Sequence, residues 1–413
     1  MKRSSSKPRR ADSLVRGGPP GPPSSPEPNA TGATESAAQT LPFSSLRLLA
    51  LEQAVSAPFC SRQFADLGAD VIKIERPDGG DFARDYDHVL HGLSAYFAWL
   101  NRSKRSVVLD LKQPEARDIF ARLLARADVF LHNIAPGAVE RLGFGYDALA
   151  ARHSRLVWCG ITGYGPDGPY RDKKAYDMLV QGEAGVIGLT GSPDQPAKVG
   201  ISIADIAAGH YAYSSILAAL YQREHTGSGQ RIDISMLECL TEWTTPPLYT
   251  WLGGGRVPAR CGARHNMIVP YGVYDCADGP VNFSVQNERE WARFCEQVLE
   301  MPQVARDWAS NQWRLDHRAE VEALIEDLFR RAPRAEILRR MDAAGIANAA
   351  VNDIPAVAAH PQLAARRRWT EAGSPAGSIP ALLPPHNLSG APPRMGRVPA
   401  LGEHTDEVLK ELA

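Results

Sequence analysis

Ser106-Val-Val-Leu-Asp-Leu-Lys-Gln-Pro-Glu-Ala-Arg-Asp-Ile-Phe-Ala-Arg-Leu-Leu-Ala-Arg-Ala-Asp-Val-Phe-Leu-His-Asn133 decides the fold class. Its two ends, Ser106–Lys112 and Asp128–Asn133, read as short strands rich in apolar residues. Pro114 opens a helical pattern between them that reaches about Arg126, because proline is tolerated in a first helical turn. Strand, helix and strand in succession form a βαβ unit, which requires parallel pairing. The rhythm continues on both sides. Leu46–Val55 reads as a first strand with its loop, Phe59–Leu67 as a helix and Ala69–Glu75 as a strand. Arg155–Ile161 is another strand, and a glycine turn at Thr226-Gly-Ser-Gly-Gln230 leads into one more. Residues 45–250 are therefore expected to form an α/β domain around a doubly wound, mostly parallel sheet.

The 413 residues, 44% hydrophobic and 23% charged, have the balance of a globular protein of two or three domains. A net charge of −1 offers no electrostatic footprint for nucleic acid or a membrane surface. No apolar run approaches the roughly 20 residues that span a bilayer. Six scattered cysteines without a C-x-x-C pair argue for a reduced, cytoplasmic setting. Residues 1–44, rich in Ser, Pro, Gly and Ala, read as a disordered extension. Their Arg- and Ser-rich start has a transit-peptide character that would send the chain to the mitochondrial matrix. Asp12 and the prolines oppose the amphipathic helix such a leader forms. Residues 251–375 read as a smaller α+β domain with linkers. Strand-like Val269–Cys276 and Val281–Gln286 precede amphipathic helices at Glu288–Leu299, His317–Arg331 and Arg334–Ala344.

The chemistry centres on Val199-Gly-Ile-Ser-Ile-Ala-Asp-Ile-Ala-Ala-Gly-His210, which sets Asp205 at the mouth of a helix of small and apolar residues. Two roles fit: an N-cap, since Asp is favoured there, or a nucleophile that a ligand reaches over Ala207, Ala208 and Gly209. The helix dipole is expected to keep Asp205 ionised. Gly163-Tyr-Gly-Pro-Asp-Gly168 matches G-x-G-x-x-G. Pro166, Pro169 and Arg171-Asp-Lys-Lys174 replace the apolar helix that dinucleotide binding needs, so only a loop that cradles a phosphate or thioester is expected. His88 and His91 lack a third metal ligand. Arg76, Lys104, Arg105, Lys112 and Arg141 lie at or beyond strand ends, where open α/β sheets bind ligands. As a cluster they suit a phosphate-rich nucleotide tail; singly they read as surface charge.

Gly68-Ala-Asp-Val-Ile-Lys-Ile-Glu-Arg-Pro77, Asn101–Lys112, Asp128–Asn133, Gly160-Ile-Thr-Gly-Tyr-Gly165, Ala204-Asp-Ile-Ala-Ala-Gly209, Thr226–Gln230 and Leu401-Gly-Glu-His-Thr-Asp-Glu-Val-Leu409 closely resemble the class III CoA-transferases. That family also contains α-methylacyl-CoA racemases. The likeness runs from Leu46 to the C-terminus. It implies an interlocked homodimer of chains with a Rossmann-like large domain, rejoined by residues 376–413, and a smaller inserted domain. It implies CoA thioesters as substrates, with no permanently bound cofactor and no metal. Asp205 falls at the family's catalytic aspartate. Val55, Ser56, Arg76, Leu109, Asp110, Leu111, Lys112, Asn133, Ile134, Ala135 and Arg141 fall where the family holds CoA. Lys174 and Tyr176 fall beside the thioester, Tyr176 as the second catalytic residue. Gly262-Ala-Arg-His265 corresponds to a glycine-rich shielding loop but keeps a single glycine and is a far less flexible sequence.

Racemases of this kind carry Gly-His-Asp where this chain reads Ala175-Tyr-Asp177. A tyrosine, with an ordinary pKa of about 10, is a poor substitute for an imidazole that exchanges protons near neutrality. Transfer is therefore favoured over racemisation, and the intact Asp205 argues against a bare CoA-binding protein. Arg264–Tyr274 and Gln286–Trp291 look most like members acting on short dicarboxylates such as mesaconate, citramalate, malate, succinate or glutarate. Arg264 or His265 then holds the acceptor's second carboxylate, or else both are structural in a hinge.

Overall fold

The computed structural model describes residues 41–413; the disorder expected of residues 1–40 lies outside them. Leu41–Ser44, assigned above to the extension, instead make a turn against the large domain. The Phe43 ring lies 5.3 Å from that of Phe64.

The large sheet has six strands: β1 (Arg47–Leu51), β2 (Asp70–Glu75), β3 (Arg105–Val108), β4 (Val129–His132), β5 (Val157–Thr162) and β6 (Arg231–Ser235). All pair in parallel, in the order β3-β2-β1-β4-β5-β6. This is the Rossmann-like order. It reverses between β1 and β4, and the loops after these strands open the crevice where such sheets take ligands.

The helices that matter below are α1 (Ser56–Asp66), α2 (Pro114–Leu124), α3 (Asp177–Glu183), α4 (Ile203–Thr226) and α5 (Thr405–Leu412). Strand side chains alternate, and both faces are covered. Leu48, Ala50, Val71, Leu131 and Cys159 meet α1 and α4. Leu49, Ile74, Phe130 and Trp158 meet α2 and α5 through Phe120, Leu123, Val408 and Leu412.

One start differs from the sequence reading. Helix α1 begins at Ser56 rather than Phe59, because Pro58 sits in a first turn where a missing N–H costs nothing. Pro246 and Pro247 likewise lie in the first turn of a helix, Thr245–Gly254.

The smaller unit holds an antiparallel sheet of β7 (Tyr271–Cys276), β8 (Gly279–Ser284) and β9 (Ala347–Ala350). Its core is built on Tyr274, Phe283, Trp291, Phe294 and Phe329. The helix expected over Glu288–Leu299 ends at Arg293 and continues as a π-turn, Phe294–Val298. The hairpin of β10 (Trp369–Ser374) and β11 (Gly377–Leu382) straddles the expected boundary at 375. It packs Ala372 and Ile379 on Phe97 and Ala98, so the chain has returned to the large domain by Trp369. The tail then runs along that domain: Arg394 N–H donates to the Asp66 carbonyl (2.7 Å) and His404 N–H to that of Ser106 (3.0 Å). Among the described residues, no helix is long and apolar enough to cross a membrane.

Helices α1 and α4 cross at Gly209. A Cβ there would lie 2.4 Å from the Ser56 carbonyl oxygen and 3.1 Å from the Phe59 ring. The glycine lets α4 lie against the first turn of α1, and Asp205, one turn earlier on α4, is brought to that turn. Gly209→Ala is expected to destabilise the fold by about 1–3 kcal/mol, as overpacking of a tight crossing does. Urea unfolding followed by circular dichroism measures it.

Candidate active site

The loop between β1 and α1 is held from two sides. Asn133, just past β4, accepts from the Gln53 N–H (2.9 Å) and donates to the Gln53 carbonyl (2.8 Å) and the Ser56 hydroxyl (3.0 Å). Asp81 accepts from the N–H of Ala54 (3.0 Å), whose φ of 60° is unusual for a residue with a side chain.

Beneath the loop lies a fully buried ion cluster. Lys73 Nζ is 2.8 Å from Asp81 and 3.4 Å from Glu52, and Lys104 Nζ is 2.7 Å from Glu52. Burial alone would lower the Lys73 pKa, yet Asp81, Glu52 and Glu75 push it up to about 12. Glu75 is taken by Arg84 through both oxygens (2.7 and 2.8 Å) and by the Ser106 hydroxyl (2.6 Å). Lys104, grouped above with ligand-binding cations, belongs to this cluster. Arg105 also turns away, pairing with Asp70 at 2.6 Å and with Glu411 on α5.

Ser202 occupies the N-cap position of α4 without capping it. The carboxylate that caps belongs to Asp177, at the start of α3. Its Oδ1 accepts from the N–H groups of Ala204 (2.7 Å) and Asp205 (3.3 Å). Its Oδ2 accepts from Gln181 Nε2 (2.7 Å), and the Gln181 Oε1 takes the N–H of Val199 (2.9 Å). Asp205 is therefore not the cap. It stands in the third helical position, with its side chain free of that duty.

Burial first, and then the neighbouring Asp177, push the Asp205 pKa up to about 7, while the hydrogen-bonding Ser56 hydroxyl pulls the other way. Asp205 is thus held less firmly ionised than expected, because desolvation and a like charge oppose the anion. Tyr86 joins the group, its phenol pushed up to about 12 by burial and then by Asp81, Asp205 and Tyr176. Neither Tyr86 nor Asp177 was assigned a role from the sequence.

The predicted CoA residues fall around the crevice. Arg76, Leu109, Asp110, Leu111 and Lys112 line a cavity of about 220 Å³ at the ends of β1, β2 and β3, together with Gln53, Gly80 and Leu142. Val55 is the buried N-cap of α1. Ile134 and Ala135 follow β4, and the exposed Arg141 folds back over Gly137, within 2.8 Å of where a Cβ would sit. Lys174 is exposed on the segment entering α3. Gly163 lies so close to Ala175 that a Cβ would stand 2.2 Å from the alanine's own. The first glycine of the G-x-G-x-x-G match thus serves the packing of the Lys174–Asp177 segment.

Arg264 and His265 are engaged elsewhere. The Arg264 guanidinium is 4.3 Å above the Tyr274 ring and forms ion pairs with Glu322 and Glu326. Two internal carboxylates occupy the place expected for the acceptor's. His265 stacks on Tyr271 (5.1 Å between centroids), and its carbonyl accepts from Arg318 (2.8 Å).

This combination of sheet, crevice and sheltered aspartate has close counterparts. Residues 43–405 match the model of CoA-transferase family III, and the chain belongs to that family. It is 36% identical over 383 residues to the succinate–glutarate CoA-transferase of Agrobacterium fabrum (strain C58), covering 90% of this chain and 96% of that relative. It is 34% identical over 360 residues to the acetyl-CoA:oxalate CoA-transferase of Acetobacter aceti, covering 85% and 92%. The crystal structure of a CAIB/BAIF family protein from Brucella suis superposes with a TM-score of 0.80 at 33% identity, over 91% of this chain and all of that one (100%).

Removing one partner of a buried ion cluster leaves charge uncompensated. Lys73→Met is accordingly expected to lower stability by about 3–5 kcal/mol, through the uncompensated buried charges of Asp81 and Glu52. Chemical denaturation of the variant and the parent measures the difference.

Proposed function

We propose that the chain moves CoA from an acyl-CoA donor to a short dicarboxylic acid through covalent catalysis by Asp205. The observation that carries the reading is the release of Asp205 from capping, which leaves a sheltered carboxylate, hydrogen-bonded by the Ser56 hydroxyl, where the starts of two helices meet.

An Asp205 oxygen attacks the donor thioester carbonyl. The C–S bond breaks, the electron pair leaves with sulfur, and a mixed anhydride and CoA thiolate result. The thiolate attacks the aspartyl carbonyl and expels the donor carboxylate, leaving an aspartyl-CoA thioester. The acceptor carboxylate repeats these steps in reverse and restores Asp205. No proton is consumed. The route divides one difficult exchange into easier ones, and shelter from water protects the intermediates from hydrolysis.

CoA enters and leaves as a substrate. Arg76, Lys112 and Arg141 supply charge for its phosphates, and Leu109 and Leu111 supply apolar wall. Val55, Ser56 and Asn133–Ala135 border the path toward Asp205, with Lys174 and Tyr176 at the thioester. The dicarboxylate assignment is supported by relatives named for glutarate and oxalate. We further assign an interlocked homodimer. Trp243, Leu248, Trp251, Leu252 and Val257 are exposed in the single chain, an apolar surface that calls for a covering partner.

Incubation with succinyl-CoA is expected to leave a CoA adduct on Asp205, detected by mass spectrometry and lost in Asp205→Ala. The transfer rate of that variant should fall by roughly 10³-fold or more. Exchange of the substrate α-proton without an adduct would mark a racemase instead. Since attack needs the anion and burial raises its pKa to about 7, kcat/KM should decline as pH falls through that value. Dicarboxylate acceptors should outpace monocarboxylates of equal length; equal rates would reject the acceptor assignment.

A further inference from the structure

The start of α4 is capped in a manner that its own sequence did not require. Ser202 stands at the N-cap position with a hydroxyl suited to the task, yet its side chain makes no cap bond. A full carboxylate from α3 does the capping instead, beside a second carboxylate. If capping were its whole purpose, a neutral acceptor would serve without the repulsion.

The groups that act on Asp205 are Asp177 from α3 and Ser56 from α1; Asp205 and the exposed Tyr176 both act in turn on Tyr86, in the turn beyond Asp81. Among the described residues, no basic side chain is among the groups acting on Asp205. Two carboxylates held together penalise whichever form carries both charges.

We propose that Asp177 is a positioning residue that favours acylation of Asp205. It fixes the α4 start through the Ala204 and Asp205 amides, and its charge destabilises the free Asp205 anion relative to the covalent forms, which are neutral at that position. The inference rests on Asp205 being the nucleophile. Protonation and acylation both remove the Asp205 charge, so one electrostatic change governs both equilibria by the same factor.

Asp177→Asn tests this, because it keeps an accepting oxygen for the amides and removes the charge. The acid limb of its kcat/KM–pH profile is expected to move to lower pH. The equilibrium ratio of Asp205–CoA adduct to free Asp205, measured by mass spectrometry with acyl-CoA present, is expected to fall tenfold for each unit the limb moves. Asp177→Ala, which also removes the cap, should add a loss of melting temperature. Asp177→Ser, a shorter neutral acceptor, provides the same readouts if the asparagine variant does not fold. An unmoved acid limb, or an adduct ratio that does not follow it, overturns the role of Asp177. A parent enzyme that transfers CoA with no adduct on Asp205 overturns the nucleophile assignment itself.

Discussion

The crossing of α1 and α4 at Gly209 governs the geometry of everything around it. With only a hydrogen at that position, the two helices approach until the α4 backbone lies against the Ser56 carbonyl. The first turns of both helices then meet at one point. Each helix brings a partial positive charge to its start, the first amides of α4 being taken by Asp177, and Asp205 stands at the meeting point. Alanine-rich sequence around the crossing, with Ala204, Ala207 and Ala208 fully buried, keeps the approach close and the surroundings dry.

That meeting point is anchored to the sheet by charge. Glu52, Lys73, Asp81 and Lys104 lie under the β1–α1 loop, out of water, and the same Asp81 that pairs with Lys73 also accepts the Ala54 N–H. Asn133 ties the loop to the end of β4. The loop after β1 is thus fastened to β2 by the ion cluster and, across the point where the sheet order reverses, to β4 by Asn133. Such clusters lend more to uniqueness of geometry than to net stability. Here they hold an unusual backbone at Ala54 immediately before the first turn of α1.

Much of this was legible in the sequence where local pattern decides structure. The βαβ rhythm predicted the parallel sheet because short apolar runs such as Val129–His132 are buried on both faces. Of the positions that the family resemblance assigns to CoA, Arg76 and Leu109–Lys112 line one cavity. The readings that failed concern what only the folded chain brings together. Lys104 looked like a surface cation because nothing local reveals that Glu52, distant in sequence, would bury it. Arg264 stayed open between acceptor binding and a structural role, because Glu322 and Glu326 approach it from a helix distant in sequence. Asp177 stands within Ala175-Tyr-Asp177, but its bonds to the α4 amides span 27 residues of chain, a pairing that no local pattern reveals.

The tail has a consequence for how the molecule comes into being. Helix α5 places Val408 and Leu412 under β3 and lends Glu407 and Glu411 to Arg105, at the outer edge of a sheet whose other strands are made far earlier. A chain emerging from the ribosome therefore carries an unfinished edge until residues 394–412 appear. Such an edge invites wrong pairing between chains, so completion of this architecture waits on a segment made long after the six strands.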